Sequence, residues 1–567
     1  MIAIHENTNE YVYKISREVL YLKCLIEKDK VKEVSLEYFD RGTTKTYSIP
    51  MTNKYQDSTL EYYFCSLEKD IPLSYIKYYF KLITHTDEIL YLGQHGLVKE
   101  VPSYPFEFLY LNQGDVHTQN NWLKDCIFYQ IFPERFANGD KGNDPEKTIP
   151  WGEKPTEENF MGGDLQGVID KIPYLKDLGI NCIYLTPIFK AMFNHKYATT
   201  DYYTIDENFG TKETFKNLVD ECHRSGIKII LDGVFNHSGV DFFAFKDVLE
   251  NQENSKYIDW FYIKKFPVLI SDDCYESVGG YKWMPKLNTS NNIVQDYFIN
   301  VMTYWIEKYH IDGWRLDVCD EMDKLFVMKA KKHVETIKND VPFIGETWGY
   351  PGDMLTSSHV NSIMNYVFRD NLIEYIAKNK IDNSEFINRS EKMYGSITDV
   401  FNDGLYNLLD SHDTERFMTL CENDVQKYMR AVTLQFILKG SPAIYYGDEL
   451  GMNGFNDPDC RKAMDWEQVN EENELLIFFK KMIRLRKKYK CLRRGEISFY
   501  DDNGILLIER EYQDTKISLL YNNTSNPVKS NRYFGELIHS SVNQELESTE
   551  FQPQEIKIFV YQKEDIK

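Results

Sequence analysis

Two different patterns of apolar and polar residues divide this chain of 567 residues. Residues 1–120 contain short runs in which apolar and polar side chains alternate, for example 11–15, 34–39 and 75–83. A period of two predicts an antiparallel β-sandwich in this N-terminal part. After residue 120, apolar runs instead alternate with amphipathic helical stretches, which predicts parallel β/α units.

Eight apolar runs of strand length follow in the second part. They occupy residues 126–132, 180–186, 227–235, 312–318, 342–346, 362–368, 405–410 and 441–447. Eight parallel strands are the number that closes a (β/α)8 TIM barrel. The sequence therefore predicts such a barrel over residues 121–490, closed by a helix at about 474–489.

The regions around the predicted barrel indicate further domains. The stretch after the third strand is too long for a simple connection, which predicts a small domain inserted at about 238–290. Strand-like runs such as 497–500 and 504–510 predict an antiparallel β-sandwich at residues 491–567. We therefore expect a multidomain protein with a barrel between two β domains.

Composition and charge narrow the class of partner. The formal net charge is −22, so the chain repels polyanions, and we expect no nucleic acid and no anionic membrane as a partner. Ten cysteines without a C-x-x-C pair give no zinc or redox signature. No signal-like N-terminus and no apolar run of transmembrane length occur, which predicts a cytoplasmic protein.

Three acids stand at the ends of predicted barrel strands: Asp317, Glu346 and Asp413. The carboxyl ends of barrel strands meet at one rim, and a pair of carboxylates flanking a bond is what glycosidic cleavage needs. One acid after a strand is more often a loop start or a helix N-cap. Several polar strand ends together favour a site, and these ends also carry Asp232, Asn236, His237, Arg315 and His412.

The residue types suggest separate roles. Arg315 and Asp317 are two positions apart and point to the same face of one strand. The guanidinium is expected to lower the pKa of Asp317 and to hold it ionised, as a nucleophile requires. Glu346 must instead be protonated to give its proton to the leaving oxygen, and the apolar walls of Ile344 and Trp348 favour that neutral form.

The remaining polar residues of the rim suit substrate binding. Asp413 is expected to stabilise the positive charge of an oxocarbenium-like transition state. His237 and His412 would donate hydrogen bonds to sugar hydroxyls. A single histidine is more often structural, but each of these two lies near a strand-end acid.

Four segments resemble, in order, the four short motifs of the alpha-amylase family: 232–237, 313–321, 345–348 and 408–413. Further segments are similar to the neopullulanase, cyclomaltodextrinase and maltogenic-amylase branch of that family, namely 129–140, 162–167, 284–288 and 456–462. The β-rich N-terminal part is similar in position to the extra N-terminal domain of this branch.

The resemblance implies hydrolysis of α-1,4 and some α-1,6 glucosidic bonds in cyclodextrins, pullulan and maltodextrins. It implies retention of configuration through a covalent glycosyl-Asp intermediate, with Asp317 as nucleophile, Glu346 as acid/base and Asp413 as transition-state stabiliser. Further residues that it implies for sugar binding are Tyr197, His237, Arg315, His412, Asp457, Arg461, Glu321, Trp348 and Tyr366.

A candidate metal site lies after the first predicted strand. Asn138, Asp140, Asn143 and Asp144 fall within seven residues, and Gly162 and Asp164 follow. Hard oxygen ligands of this kind suit calcium. On spacing alone a turn rich in Asn, Asp and Gly is the simpler interpretation. The resemblance implies a structural Ca2+ at these residues.

Two other functions remain open at this stage. A transglycosylase or glucan isomerase would use the same covalent intermediate, with a sugar hydroxyl in place of water. A non-catalytic carbohydrate-binding protein should lack at least one of the three acids, and this chain has all three. The resemblance also implies a homodimer in which the N-terminal domain of one chain covers the rim of the other.

Overall fold

A computed structural model describes residues 1–110, 112, 116–117, 120, 122–530, 534–542 and 550–562. The predicted boundary between the N-terminal domain and the barrel falls at residue 121, which lies outside the described residues. Within the described part of the chain, no helix is long and apolar enough to cross a membrane.

The N-terminal domain consists of two antiparallel sheets packed face to face. Its strands are β1 (Ala3–Ile4), β2 (Val12–Lys14), β3 (Val19–Glu27), β4 (Val31–Asp40), β5 (Tyr47–Pro50), β6 (Thr52–Gln56), β7 (Leu60–Glu68), β8 (Ile76–Thr84), β9 (Ile89–Gly93), β10 (Gly96–Val98) and β11 (Phe106–Phe108). One sheet has the order β1-β3-β7-β6 with β2 beside β3, and the other has the order β10-β9-β8-β4-β5 with β11 beside β8. The predicted sandwich is confirmed.

The second domain contains a closed barrel of eight parallel strands. The strands of this domain are β12 (Phe128–Ile131), β13 (Cys182–Leu185), β14 (Phe189–Ala191), β15 (Thr199–Ile205), β16 (Lys228–Gly233), β17 (Gly313–Leu316), β18 (Phe343–Thr347), β19 (Ser362–Asn365), β20 (Tyr406–Leu408) and β21 (Ser441–Tyr445). All except the β14–β15 hairpin belong to the barrel. Each of these eight strands lies within, or one residue from, one of the predicted runs.

Helices surround the barrel and bury its outer face. They are α1 (Pro133–Phe136), α2 (Leu165–Asp170), α3 (Ile172–Leu178), α4 (Lys212–Arg224), α5 (Phe243–Asn251), α6 (Asn292–Tyr309), α7 (Lys324–Ile337), α8 (Tyr366–Leu372), α9 (Asn383–Gly395), α10 (Phe417–Leu420), α11 (Val425–Ile437), α12 (Glu474–Lys488) and α13 (Cys491–Arg494). Because helices cover the sheet, barrel strands such as β12, β17 and β18 are buried at every position.

Two further parts complete the predicted fold class. The segment between β16 and α6 holds α5, several 3-10 turns and isolated bridges, and it forms the predicted insertion. The C-terminal domain has the strands β22 (Glu496–Asp502), β23 (Ile505–Tyr512), β24 (Thr515–Asn522), β25 (Val528–Lys529), β26 (Glu536–Ser540), β27 (Glu550–Phe551) and β28 (Ile556–Gln562). They form one sheet, β22-β23-β24-β28-β26, and a small pair, β25-β27.

Candidate active site

Arg315 stands at the centre of the barrel rim and contacts three carboxylates. Its Nη1 lies 3.0 Å from Asp232 Oδ1 and 2.7 Å from Asp317 Oδ1, and its Nη2 lies 2.7 Å from Glu346 Oε2. All four side chains are buried. The register of the barrel produces this arrangement, because Asp232 on β16 and Arg315 on β17 are direct neighbours. One guanidinium therefore holds the two predicted reacting acids close together.

The backbone after β17 is shaped to meet Glu346. Val318 has a φ of 45°, in the left-handed region that a β-branched residue rarely adopts. Its N–H donates a hydrogen bond of 2.9 Å to Glu346 Oε2. Strained backbone of this kind persists where the surrounding structure enforces it, and it is common at functional sites. The turn directly after Asp317 thus also positions the second acid.

The charge balance around Asp317 differs from the expectation. Burial raises the pKa of Asp317 well above its usual range, Arg315 opposes this shift, and the charges of Glu346 and Asp232 add to it. The predicted lowering by Arg315 is therefore outweighed, because one cation faces three buried carboxylates. Such a cluster favours keeping a proton, and acid catalysis requires one carboxyl to hold a proton.

Both predicted histidines are buried beside the acids. His237 Nδ1 lies 3.9 Å from Asp317 Oδ2, and burial lowers the pKa of His237 to about 3. Among the described residues, neither ring nitrogen of His237 has a hydrogen-bond partner. Burial also lowers the pKa of His412 well below its usual value. Each ring is thus neutral near pH 7 and carries one N–H, and the N–H of His237 can be accepted by a sugar hydroxyl.

His412 links the two sides of the site. Its Nδ1 hydrogen-bonds the amide of Gln130 at 2.6 Å, and its Nε2 lies 2.5 Å from the Tyr197 hydroxyl and 3.1 Å from Asp413 Oδ2. The Tyr197 hydroxyl also donates to Asp232 at 2.8 Å. The network therefore runs from Asp413 through His412 and Tyr197 to Asp232, one of the carboxylates that contact Arg315.

The third acid is fixed by a second arginine. Arg461 Nη2 lies 3.3 Å from Asp413 Oδ1, and its Nη1 lies 2.9 Å from Asp457 Oδ2. The Nε of Arg461 donates to the backbone oxygen of His412 at 2.8 Å. Asp457 and Arg461 are thus part of the same cluster as Asp413.

The other predicted sugar-binding residues border this cluster. Trp348 stacks on Tyr366 with a centroid distance of 4.1 Å, and Trp348 is 52% exposed, so one ring face is open to a ligand. The Tyr366 hydroxyl lies 3.2 Å from Ser411 Oγ, next to His412. Glu321 lies at the margin, where it pairs with Lys286 at 2.8 Å. All twelve predicted catalytic and sugar-binding residues therefore belong to one region.

The predicted metal loop contains two asparagine oxygens that are able to bind a cation. The side-chain oxygens of Asn138 and Asn143 are buried, and neither has a hydrogen-bond partner in the described part of the chain. A Cβ on Gly162 would come within 2.3 Å of Asp144 Oδ1, so only glycine allows this close approach. The amide oxygens, with the Asp144 carboxylate nearby, are donors that fit calcium.

The Asp164 carboxylate, which is a predicted metal ligand, accepts four hydrogen bonds in this structure. Its oxygens accept hydrogen bonds from the backbone N–H groups of Gly139, Asp140 and Gly167 and from the Asn143 side chain. These four donors use its lone pairs, and it caps the N-terminus of α2. Across the described residues, no group of three or more His, Cys, Asp or Glu side chains could hold a metal.

The structure adds residues that sequence reasoning did not assign to the site. Gln130 and Tyr184 come from the first two barrel strands, and the Tyr184 hydroxyl donates to Asp232 at 2.6 Å. Lys286, from the insertion, bonds Asn236 at 2.6 Å. A polar residue inside an otherwise apolar strand, such as Gln130, was the available signal. Its partner could not be known without the register.

Comparison with known proteins agrees with the geometry. A family model described as the alpha amylase catalytic domain matches residues 130–495, and one described as the alpha amylase N-terminal ig-like domain matches residues 1–112. The barrel and its buried acids define a glycoside hydrolase. The chain belongs to the alpha-amylase family.

The similar proteins come from the branch that the motifs resemble. Cyclomaltodextrinase from Thermoanaerobacter pseudethanolicus is 42% identical, covering 92% of each chain. Neopullulanase 2 from Thermoactinomyces vulgaris is 40% identical, covering 92% of this chain and 90% of its own. A solved structure of a cyclomaltodextrinase has a TM-score of 0.90 at 34% identity, covering 98% of this chain and 99% of that one. This chain is thus an α-glucan hydrolase of that family.

Proposed function

We propose that this enzyme cleaves α-1,4 and some α-1,6 glucosidic bonds in cyclodextrins, pullulan and maltodextrins, with retention of configuration through a covalent glycosyl-Asp317 intermediate. The observation that carries the proposal is the contact of Asp317 and Glu346 with one guanidinium. Two carboxyls that share one small group lie close together. Retaining enzymes need a separation of about 5–5.5 Å, whereas inverting enzymes leave room for a water between the acids.

In the first step the Asp317 carboxylate attacks the anomeric carbon while Glu346 gives its proton to the glycosidic oxygen. The C–O bond to the leaving sugar breaks, and an ester between the anomeric carbon and Asp317 forms. Asp413 faces the positive charge that develops on the ring. The neutral His237 and His412 would bind hydroxyls of the attacked sugar, above the ring of Tyr197.

In the second step the Glu346 carboxylate takes a proton from water as that water attacks the anomeric carbon. The ester breaks, Asp317 is regenerated, and Glu346 again carries its proton. The Val318 N–H and Arg315 Nη2 hold the Glu346 carboxylate during this exchange. Asp457 and Arg461 would bind the neighbouring sugar on the non-reducing side, while Glu321, Trp348 and Tyr366 border the leaving-group side.

The direct test of the proposal is product analysis. The purified protein is incubated separately with β-cyclodextrin, pullulan and soluble starch, and the products and their anomeric form are followed by NMR. We expect products that first appear as the α-anomer, with cyclodextrin and pullulan both cleaved. First appearance of the β-anomer would contradict retention, and no release of reducing sugar from any of the three would contradict the function.

We propose that Ca2+ binds the loop that contains Asn138, Asn143 and Asp144 and ties it to Gly162. Addition of EGTA is expected to lower the melting temperature by roughly 5 °C, because a ligand that binds only the folded state stabilises it. Activity at low temperature should persist, since these residues make no contact with Asp317 or Glu346.

The control for the calcium prediction is Asp144→Asn, which weakens the loop's charge and should make melting insensitive to EGTA. Restoration of the wild-type melting temperature by added Ca2+ supports the site. Unchanged melting with EGTA, together with no calcium in elemental analysis, would reject it.

We also propose that the protein acts in a reducing cytoplasm as a homodimer. All ten cysteines lie within the described residues and are buried free thiols, which suits a reducing compartment. The dimer rests on the resemblance alone, and light scattering should give twice the 67.1 kDa of one chain. A mass near that of one chain would contradict the dimer.

A further inference from the structure

Five side-chain rings form a continuous series that begins in the active site. The ring centroids of Tyr197 and His195 lie 5.8 Å apart, and those of His195 and Phe193 lie 5.2 Å apart. The Phe193 ring in turn lies 5.8 Å from the ring of Trp283. Tyr281 lies 5.0 Å beyond Trp283. The series therefore leads from the ring beside His412 to the surface of the insertion.

Backbone hydrogen bonds hold the outer part of the series against the barrel rim. The N–H of Ser238 donates to the oxygen of Pro285 at 3.1 Å, and the N–H of Leu287 donates to the oxygen of Asn236 at 2.9 Å. Since His237 lies between these pairs, the chain just after Trp283 is pinned directly beside a catalytic-site residue. The outer rings are thus positioned relative to the acids by paired backbone.

Exposure increases along the series away from the acids. Tyr197 is 9% exposed, Trp283 is 39% exposed and Tyr281 is 51% exposed. If these rings served only to pack the insertion against the barrel, the largest of them would be expected inside the contact. Large aromatic side chains exposed next to one another instead mark a binding surface.

We propose that Phe193, Trp283 and Tyr281 form an additional sugar-binding site, which stacks on glucose rings of an α-glucan beyond those held at the catalytic acids. The occupant follows from continuity, because the surface is joined ring by ring to the site where the glucan is cleaved. The apolar faces of pyranose rings pack on aromatic rings, and the uncharged substrate needs no ionic partner there. The proposal rests on the proposed function and specifies its preference for longer or cyclic chains.

The test compares Trp283→Ala with a matched control on two substrates of different length. Tyr262→Ala is the control, since Tyr262 lies in the same insertion and is also 39% exposed but is outside the series. For Trp283→Ala we expect KM for maltoheptaose to rise about tenfold, equivalent to roughly 1.4 kcal/mol. Maltotriose is expected to be held at the catalytic acids alone, so its KM and kcat should stay within about twofold of wild type, as should both substrates with Tyr262→Ala.

A conservative variant separates binding from folding. Trp283→Phe keeps an aromatic face and should restore most of the maltoheptaose affinity, while a merely structural role would show as a lower melting temperature with equal losses on both substrates. Equal changes in KM for maltoheptaose and maltotriose, or no change for either, would overturn the proposal.

Calorimetry with the Glu346→Gln enzyme distinguishes this proposal from the function itself. Maltoheptaose should bind Glu346→Gln, and adding Trp283→Ala should weaken that binding about tenfold. Equal affinity of the single and double variants would overturn the outer site and leave the function intact. No binding to either, with no hydrolysis by wild type, would instead reject the function on which the proposal rests.

Discussion

Replacement of Glu346 by Gln is expected to lower kcat/KM for maltodextrin hydrolysis by about 10²–10⁴-fold, the contribution typical of a positioned general acid. The amide keeps the shape of the side chain and can still accept the Val318 hydrogen bond, but it is too weak an acid to transfer a proton to the leaving oxygen. The leaving sugar must then depart as an alkoxide, which is a poor leaving group. Steady-state assay of reducing sugar measures the loss.

The leaving group separates the role of Glu346 from that of Asp317. Fluoride leaves without protonation, so Glu346→Gln should still release fluoride from α-maltosyl fluoride in an initial burst, followed by a slow phase because no base activates water. Asp317→Asn should release none in a burst. Glu213→Gln, an exposed acid in the first turn of α4, is the matched control and should resemble wild type. Equal rates for wild type and Glu346→Gln on maltodextrin would contradict the acid/base role.

Replacement of Arg315 by Lys is expected to be the most destabilising of these substitutions. Arg315 contacts three buried carboxylates, and one ammonium cannot reproduce its planar fork. Breaking a buried ion pair typically costs about 3–5 kcal/mol. Denaturant unfolding measures the change. Arg389→Lys, in an exposed pair with Glu385, is the control and should cost at most about 1 kcal/mol.

The same variant should shift the pH dependence of activity. Arg315 opposes the upward shift that burial imposes on the pKa of Asp317. Weakening its contacts raises that pKa further, so the pH range in which Asp317 is ionised begins at a higher pH. The acidic limb of the kcat/KM profile is therefore expected to move to higher pH. If the acidic limb stayed at the wild-type pH and the stability were normal, the role of Arg315 in holding the three carboxylates would be contradicted.

The barrel could be predicted from sequence because each of its strands is a short apolar run. The run 227–235, for example, contains β16, and helices on the outside and side chains on the inside bury both faces of such a strand. Once eight such runs are counted, barrel geometry brings their carboxyl ends to one rim. This is why Asp317, Glu346 and Asp413 could be grouped although they are far apart in the chain.

The electrostatics of the site could not be predicted in the same way. The charge on Asp317 depends on Asp232, which the register of β16 and β17 places beside Arg315. From the sequence, Arg315 and Asp317 form a simple pair, and the expected lowering of the pKa was wrong because burial and two more carboxylates enter. The left-handed backbone of Val318 likewise follows from the tertiary fit, since nothing in a valine predicts it.

The position of the outer rings also could not be predicted from the sequence. Phe193 and Trp283 are far apart in sequence, and neither lies in a strand of the barrel. The backbone pairing between residues 236–238 and 285–287 holds the insertion against the rim. The proposed outer sugar-binding site thus depends on contacts between loops, which an apolar pattern along the chain does not reveal.

The most direct measurement of the central claim is mass spectrometry of the Glu346→Gln enzyme after reaction with α-maltosyl fluoride, denaturation and proteolysis. If Asp317 is the nucleophile, a maltosyl group will be found on the peptide that contains Asp317 and on its carboxylate after fragmentation. The account would be contradicted if the sugar were attached to the peptide that contains position 346 or to Asp413. Hydrolysis of the fluoride without any bound sugar would also contradict it.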